Sequence, residues 1–306
     1  MATTTPREAD RSVVPGVDRP AAVSERPEQW RSWIGKIGFL LLLLFFTILF
    51  LYPMIWLLSA SLKPGAEVFS GDLIGSRIAW ENYERLFSIM PVALWGWNSL
   101  YTSFLAAITV TFSSALVAFA FAYFRFPGRN LVFAIVLASM MLPGAVTMIP
   151  TFLIWDALGF NNTHVPLWAG NLFASPFYIF LLRQFFLSLP RDLFDAAKVD
   201  GAGYLRMWWS VALPLTRAAL IVVFVFELKA AWTDLVRPLI FLRDVPLFTL
   251  PRGLKAVIDS PSIGGERHFE LLAVGGVIVM VPMVIVFFLG QRYFLEGIAT
   301  SGSTGR

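Results

Sequence analysis

Long apolar stretches separated by short polar segments dominate the chain. Six of these stretches are roughly 20 residues or longer, enough for a helix rising about 1.5 Å per residue to cross a bilayer. They cover residues 34–59, 98–123, 131–155, 165–186, 214–232 and 270–293. Because a helix satisfies its own backbone hydrogen bonds in lipid, the pattern predicts an all-α integral membrane protein with six transmembrane helices. Pro143, Pro176 and Pro282 fall inside these stretches and predict kinks.

The two ends of the chain are polar, and an even number of spans places them on the same side. Residues 1–33 are rich in Pro, Arg and Glu, and they are predicted to form a disordered tail. Residues 34–296 form one six-span domain, and residues 297–306 form a short tail rich in Gly and Ser. More Lys and Arg residues lie on the side of the tails than on the opposite side, so both termini are expected in the cytoplasm.

Residues 190–212, called the lever below, are the longest polar interruption in the second half of the chain. Pro190 suits a helix start, and Asp192 and Asp195 favour the positive end of the helix that follows. Gly201 permits a change of direction, and residues 204–213 predict a second short helix. The apolar stripe of that helix is predicted to consist of Leu205, Trp208, Trp209 and Ala212. A helix–turn–helix unit anchored at both ends by membrane segments is suited to transmitting movement.

Composition excludes several kinds of chemistry. Hydrophobic residues make up 57% of the chain, and it has no cysteine, which excludes disulfides and thiolate metal sites. His164 and His268 are far apart and form no metal-ligand spacing. The net charge of +4 is not clustered with aromatic residues, as nucleic-acid binding would require. The chain has no P-loop motif, so we expect no bound cofactor and no enzymatic activity on this polypeptide.

The lever also carries a recognisable sequence pattern. Asp195-Ala196-Ala197 is followed by Gly201 and, after nine intervening residues, by Val211-Ala212-Leu213-Pro214. This resembles the EAA loop of ABC-importer permeases, with Asp195 in place of Glu and Val211 in place of Ile. Other stretches, in the same order along the chain, are similar to the carbohydrate-importer branch and in particular to the second permease subunit of the maltose transporter. Among them are Met141-Leu142-Pro143-Gly144, Leu182-Arg183-Gln184-Phe185-Phe186 and Gln291-Arg292-Tyr293-Phe294.

The resemblance implies a type I importer permease (MetI-like) fold in the bacterial cell membrane. It also implies a second permease subunit, two ATPase subunits that use ATP and Mg²⁺, and an extracytoplasmic binding protein that delivers a di- or oligosaccharide. Importers of glycerol phosphate and glycerophosphodiesters belong to the same branch and remain an alternative. The ATPase-coupling residues that the resemblance implies are Asp195, Ala196, Ala197, Asp200, Gly201 and Pro214.

The fifth apolar stretch departs from the family pattern. It carries Glu227 and Lys229, where the family is usually apolar or small, and the usual Trp-Asn-Asp that follows reads Trp232-Thr233-Asp234. The C-terminal tail also lacks the family's Gly-Ala-x-Lys-Gly ending, which puts a contact of this tail with the ATPase in doubt. Helical spacing places Glu227 on one face with Asp234, and Lys229 on another with Trp232 and Thr233.

Polar groups inside spans are candidates for the substrate pathway, because a charge at mid-bilayer costs about 2.5–3.5 kcal/mol on insertion scales. For the charged residues, the alternative is that they pair with the partner permease or reach the outer interface. For the neutral residues, the alternative is that they form helix–helix hydrogen bonds. An ion-coupled secondary transporter is a less favoured alternative, since it needs a membrane carboxylate but no ATPase-docking lever. The pathway candidates are Asn98, Asn171, Tyr178, Glu227, Lys229, Trp232, Thr233 and Asp234.

Overall fold

The structure is a computed structural model that describes residues 29–259 and 268–302, with side chains for residues 35–259 and 268–293. Every regular element in these ranges is a helix, which confirms the predicted all-α class. Most of the predicted N-terminal tail and the last four residues lie outside the described residues. Residues 29–33 of that tail already belong to the first helix.

In chain order the α-helices are α1 (Gln29–Ser61), α2 (Glu81–Ile89), α3 (Val92–Tyr123), α4 (Arg129–Ser139), α5 (Gly144–Ala157), α6 (Val165–Trp168), α7 (Pro176–Leu187), α8 (Arg191–Val199), α9 (Tyr204–Met207), α10 (Leu213–Leu215), α11 (Arg217–Trp232), α12 (Val236–Phe241), α13 (Leu250–Asp259) and α14 (Phe269–Gly302). Short 3₁₀ turns occupy Gly65–Glu67, Ala169–Phe173 and Val245–Leu247, and a π-turn occupies Trp208–Ala212.

Three helices are long and apolar enough to cross a membrane by themselves, namely α1, α3 and α14. Three further candidates are bent pairs: α4 with α5, bent by 98°, Val165–Phe173 with α7, bent by 42°, and Tyr204–Leu215 with α11, bent by 83°. Counting each pair as one span gives up to six spans in the described residues. The side on which the termini lie stays a prediction.

The third, fourth and fifth stretches are each divided into two helical segments. The predicted kinks at Pro143 and Pro176 lie at full interruptions of the helix, and the fifth stretch has a break that was not predicted. Pro143 has an extended backbone (φ −60°, ψ 133°) immediately before α5, because proline cannot continue the hydrogen-bond ladder of α4. Ala174, at φ 65°, separates the 3₁₀ turn from α7, which begins with Pro176. In the fifth stretch Thr216 leaves the helical conformation, so α11 begins at Arg217.

Two of the intervals between the predicted spans contain helices. The segment 65–97 holds α2 and the start of α3, and the segment 234–269 holds α12 and α13. Both α2 and α13 are short and amphipathic, with Leu86 and Leu250 buried, so they do not form a long apolar run. The last helix continues to Gly302, so residues 297–302 of the predicted C-terminal tail are helical.

The chain divides into two compact units, and the first contains residues 29–53 of α1. The apolar side chains along this part of α1 are exposed, as expected for a helix surrounded by lipid.

The second unit, residues 54–306, is organised around α3. Helices α7 and α11 both pack along α3, and α11 also packs against α14. One buried cluster joins the C-terminal half of α3 to α7, α11 and the lever through Phe119, Leu182, Val223 and Phe194. A second cluster, around Trp95 and Trp232, joins the other half of α3 to α12, α13 and α14.

Candidate functional site

The lever folds as a helix, a left-handed turn and a second helical segment. Helix α8 ends at Val199, and Gly201 follows with φ +77°. The N–H of Gly201 donates to Lys198 O (3.1 Å), and the N–H of Ala202 donates to Ala197 O (2.9 Å). These two bonds form a Schellman cap, which requires a left-handed residue and therefore favours glycine. The predicted change of direction at Gly201 is confirmed.

Aromatic packing anchors the lever to α3. Phe194 is 4% exposed, and its ring centroid lies 5.9 Å from that of Phe119 and 5.4 Å from that of Tyr123. In the second arm, the ring centroid of Tyr204 lies 4.9 Å from that of Phe124, and Met207 is fully buried. Both arms are thus joined to the membrane core, so the lever is not a free loop.

The predicted apolar stripe of the second arm is partly wrong. Ala212 is buried and Trp208 half-buried, but Leu205 and Trp209 are mostly exposed. Met207 provides the buried contact instead. The reason is the π-turn over Trp208–Ala212, which changes the helical spacing on which the stripe was based.

The outer face of the lever presents most of the predicted coupling residues. Asp195, Ala196, Asp200, Gly201 and Pro214 are exposed, and Ala197 is half-buried. Within the described residues, the Asp195 carboxylate makes no hydrogen bond or ion pair. Small and unpaired polar side chains on an exposed face are available for contact with another protein.

Three of the predicted pathway residues come together inside the bundle. Asn171 Nδ2 donates to Glu227 Oε1 (2.7 Å), and Tyr178 Oη donates to Glu227 Oε2 (3.2 Å). Glu227 and Asn171 are half-buried, and Tyr178 is 7% exposed. Asn171 Nδ2 also donates to Ala106 O on α3 (3.0 Å). This cluster, called the Glu227 cluster below, joins α3, the segment before α7, α7 and α11.

Glu227 lies in the second half of α11. It lies ten residues after Arg217, the first residue of α11, and thus about 15 Å along the helix axis. If Arg217 marks the membrane boundary at the lever, this distance is half of a hydrocarbon core about 30 Å thick. The two donors of the cluster compensate the carboxylate, which would otherwise be costly at that depth.

The remaining candidates of α11 do not join this cluster. Lys229 and Thr233 are exposed, and the Lys229 ammonium has no partner among the described residues. Trp232 is buried, and its Nε1 donates to Val279 O (3.0 Å), so it does not share the open face of Lys229. Asp234 lies beyond the end of α11 and forms an ion pair with Arg237 rather than facing Glu227. The prediction that Glu227 shares a face with Asp234 is therefore wrong. The prediction for Lys229 is wrong for Trp232, but Lys229 and Thr233 do lie on the same exposed face.

Asn98 lies elsewhere in the bundle. It is 4% exposed, and its Nδ2 donates to Pro246 O (2.8 Å) and Phe248 O (3.0 Å). Both amide hydrogens hold the segment before α13 against α3. This geometry matches the alternative of a helix–helix contact rather than that of a pathway group.

The residues that anchor the lever and position the Glu227 cluster were not predicted from the sequence. Phe194 and Met207 are not among the predicted residues, although an apolar residue inside a polar interruption is a usable signal for an anchor. Ser113 is not among them either: its Oγ donates to Asn171 O (2.8 Å) and so positions the cluster. No sequence signal identifies Ser113, because the contact joins residues 58 positions apart.

The residues that the structure describes contain no group of three or more His, Asp or Glu residues suited to a metal ion. The two features that are suited to a function are the exposed lever and the polar cluster inside the helix bundle. This combination is typical of one class, the membrane transport proteins.

Comparison with known proteins identifies the family within this class. Residues 114–299 match the family described as binding-protein-dependent transport system inner membrane component, and the chain belongs to it. The matched region contains the lever and most of the Glu227 cluster. The family predicted from the sequence is confirmed.

Relatives and solved structures agree with this assignment. The chain is 30% identical over 277 residues to the arabinooligosaccharides transport system permease protein AraQ of Bacillus subtilis, covering 89% of this chain and 97% of AraQ. It is 29% identical over 269 residues to the sn-glycerol-3-phosphate transport system permease protein UgpE of Yersinia pestis, covering 85% and 95% of the two chains. A crystal structure of a bacterial ABC transporter that imports alginate contains a chain similar to this one, with a TM-score of 0.69, 26% identity, and coverage of 90% and 99%.

Proposed function

We propose that this chain is a permease subunit of an ATP-driven importer of di- or oligosaccharides in the bacterial cell membrane. The observation that carries the proposal is the lever, a Gly201-capped unit whose two arms are packed into the core on α3. A rigid, exposed unit of this kind is suited to transmitting the movement of another protein to the helix bundle. Membership of the family, and the relatives that carry arabinooligosaccharides and alginate, support the choice of sugars.

The assembly that follows has three kinds of protein partner. A second permease subunit completes the translocation pathway, and two ATPase subunits bind ATP and Mg²⁺ and dock on the lever through Asp195, Ala196, Ala197, Asp200, Gly201 and Pro214. An extracytoplasmic binding protein delivers the sugar. The exposure of this face and the unpaired carboxylate of Asp195 support the docking role.

Part of the substrate pathway runs along the exposed face of α11. A charged side chain inside a membrane span normally faces a water-filled cavity or another protein rather than lipid. Lys229 is exposed on this face, so the face meets water or the second permease. Thr233, one helical turn after Lys229, is exposed on the same face and offers a hydroxyl to sugar hydroxyls. The Glu227 cluster lies on the inner side of α11, towards α3 and α7, and is the second polar candidate of the pathway.

A glycerol-phosphate importer is the second candidate, and the similarity to UgpE favours it. An ammonium such as that of Lys229 suits a phosphate as well as a hydroxyl-rich sugar. An ion-coupled secondary transporter is less well supported, because such a protein has no ATPase for a lever to contact.

The test is uptake of substrate by proteoliposomes that contain the full complex, with the substrate supplied bound to the binding protein. The Asp195→Lys variant is compared with Asp72→Lys, an exposed aspartate in the loop after α1. We expect Asp195→Lys to lose both uptake and stimulated ATP hydrolysis while Asp72→Lys retains both. Normal uptake by Asp195→Lys would refute the docking role, and uptake that continues without ATP would refute an ATP-driven importer. A panel of arabino- and galacto-oligosaccharides against sn-glycerol-3-phosphate separates the two substrate classes.

A further inference from the structure

Arginines without an acidic partner surround the turn between α3 and α4. Arg125 and Arg129 line an open cavity of about 320 Å³ together with Gly128 and Asn130. Arg129 Nη1 donates to Phe124 O (3.2 Å), and within the described residues neither arginine pairs with a carboxylate. The cavity therefore has an uncompensated positive charge.

A third arginine adds to this charge from α7. The guanidinium carbon of Arg183 lies 4.3 Å from the ring centroid of Phe133. Phe133 is one helical turn from Arg129 on α4, so the two arginines are neighbours and repel each other. The Nε of Arg183 is buried and has no acceptor among the described residues. An anion in this region would reduce the repulsion.

An apolar groove adjoins the basic cavity. It has a volume of about 250 Å³, lies between α3 and the second arm of the lever, and its lining is entirely apolar at the surface. Phe126 lines both the groove and the basic cavity, so the two adjoin at this side chain. Leu116 lines the groove on the side of α3, and Tyr204 and Leu205 line it on the side of the lever.

We propose that the joined cavity binds one anionic phospholipid, with its phosphate at Arg125 and Arg129 and an acyl chain in the groove. Basic pockets between membrane helices on the cytoplasmic side suit anionic head groups. An inorganic anion would leave the apolar groove empty, and a zwitterionic lipid would bring its own cation to an already positive cavity. The inference rests on the proposed function in one respect, namely that the lever lies on the cytoplasmic side.

This lipid would affect the lever directly. Tyr204 and Leu205 belong to the second arm, so an acyl chain in the groove would fill the space between that arm and α3. The bound lipid would then hold the lever in the position that the structure describes. The composition of the membrane would thereby influence how far the lever moves.

The test is native mass spectrometry of the full-length chain, released from detergent after incubation with phosphatidylglycerol, phosphatidylcholine or inorganic phosphate. We expect one retained phosphatidylglycerol per chain and much weaker retention of the other two. Arg125→Gln and Arg129→Gln should each weaken retention about fivefold, the effect expected for one basic residue near an anionic head group. Arg217→Gln, which removes an exposed arginine outside the cavity, should leave retention unchanged.

A second pair of variants tests the groove. Leu205 is 70% exposed, so Leu205→Asp should fold normally while placing a carboxylate beside the acyl chain. Leu193 is an exposed leucine of the first arm that does not line the groove, and Leu193→Asp is the matched control. We expect loss of phosphatidylglycerol only from Leu205→Asp, with circular dichroism unchanged in both variants.

Several outcomes would overturn the proposal. These are equal retention of phosphatidylglycerol and phosphatidylcholine, undiminished retention after loss of both Arg125 and Arg129, or an equal effect of Arg217→Gln. Retention of inorganic phosphate as strong as that of the lipid would identify a free-anion site instead. The measurement involves no transport, so its failure would leave the importer function unaffected, and failure of the uptake experiment would leave the lipid result unaffected.

Discussion

Replacing Glu227 with alanine is the most informative change to the bundle, because it removes the acceptor of two hydrogen bonds at once. Asn171 would keep its second contact, with Ala106 O, whereas the described contact of the Tyr178 hydroxyl would be lost. Glu227→Gln retains the shape and one acceptor oxygen but removes the charge. Lys229→Ala is the matched control, because it removes a charge two residues away that has no partner among the described residues.

The expected magnitude follows from the geometry. Hydrogen bonds between membrane helices contribute on average about 0.6 kcal/mol and at most about 1.7 kcal/mol in double-mutant cycles. The bond from Asn171 is short, at 2.7 Å, and goes to a carboxylate, so we expect a coupling of about 1–1.5 kcal/mol. The bond from Tyr178, at 3.2 Å, should contribute about 0.5 kcal/mol. The free-energy cost of placing the Glu227 charge in apolar surroundings largely cancels between the folded and unfolded states, because the charge also lies in apolar surroundings when the helices are separated.

The assay is reversible unfolding in mixed micelles titrated with a denaturing detergent, followed by the fluorescence of the 11 tryptophans. Double-mutant cycles of Glu227→Ala with Asn171→Ala and with Tyr178→Phe give the two couplings. We expect Glu227→Ala to lower the free energy of unfolding by about 2 kcal/mol, Glu227→Gln by less, and Lys229→Ala by almost nothing. Additive cycles, or a larger coupling for Tyr178 than for Asn171, would refute the cluster geometry.

Two glycine pairs give further predictions. Gly201→Ala should destabilise the lever by about 1–2 kcal/mol, because φ +77° is unfavourable for a residue with a Cβ, and it should reduce stimulated ATP hydrolysis in the full complex. Gly203→Ala, at φ −69° and with open space at its Cβ, should change neither, and an equal effect of both variants would contradict the Schellman cap. Gly253→Ala should destabilise the contact between α13 and α3 by about 1–3 kcal/mol, because the new methyl group would overlap the ring of Trp95. Gly96→Ala has open space and is the control, and equal thermal unfolding temperatures for these two variants would contradict the packing.

Local chemistry determined the features that the sequence could predict. The length of each apolar stretch predicts where a span lies. The lever was predictable because Pro190, Gly201 and the polar residues between them each determine the local backbone conformation without distant contacts. The bends were not predictable in size, because a proline such as Pro143 produces either a kink or a full break depending on what packs beside it. The partners of Glu227 were not predictable either, because Asn171 and Tyr178 are 56 and 49 residues away and meet it only through packing on α3.

The same packing relates the lever to the membrane interior. One arm of the lever follows α7 and the other precedes α11, and both helices pack along α3. The Glu227 cluster joins these two helices about 15 Å from the start of α11, where Tyr178 contributes from α7 and Glu227 from α11. A force on the lever therefore reaches two helices that are held together both at the lever and inside the membrane. The cluster also includes α3, because Asn171 Nδ2 donates to Ala106 O and Ser113 Oγ donates to Asn171 O. Movement of α7 and α11 away from α3 would break these bonds, whereas movement of all three helices together preserves them. We therefore infer that α3, α7, the lever and α11 move as one unit when the permease changes state.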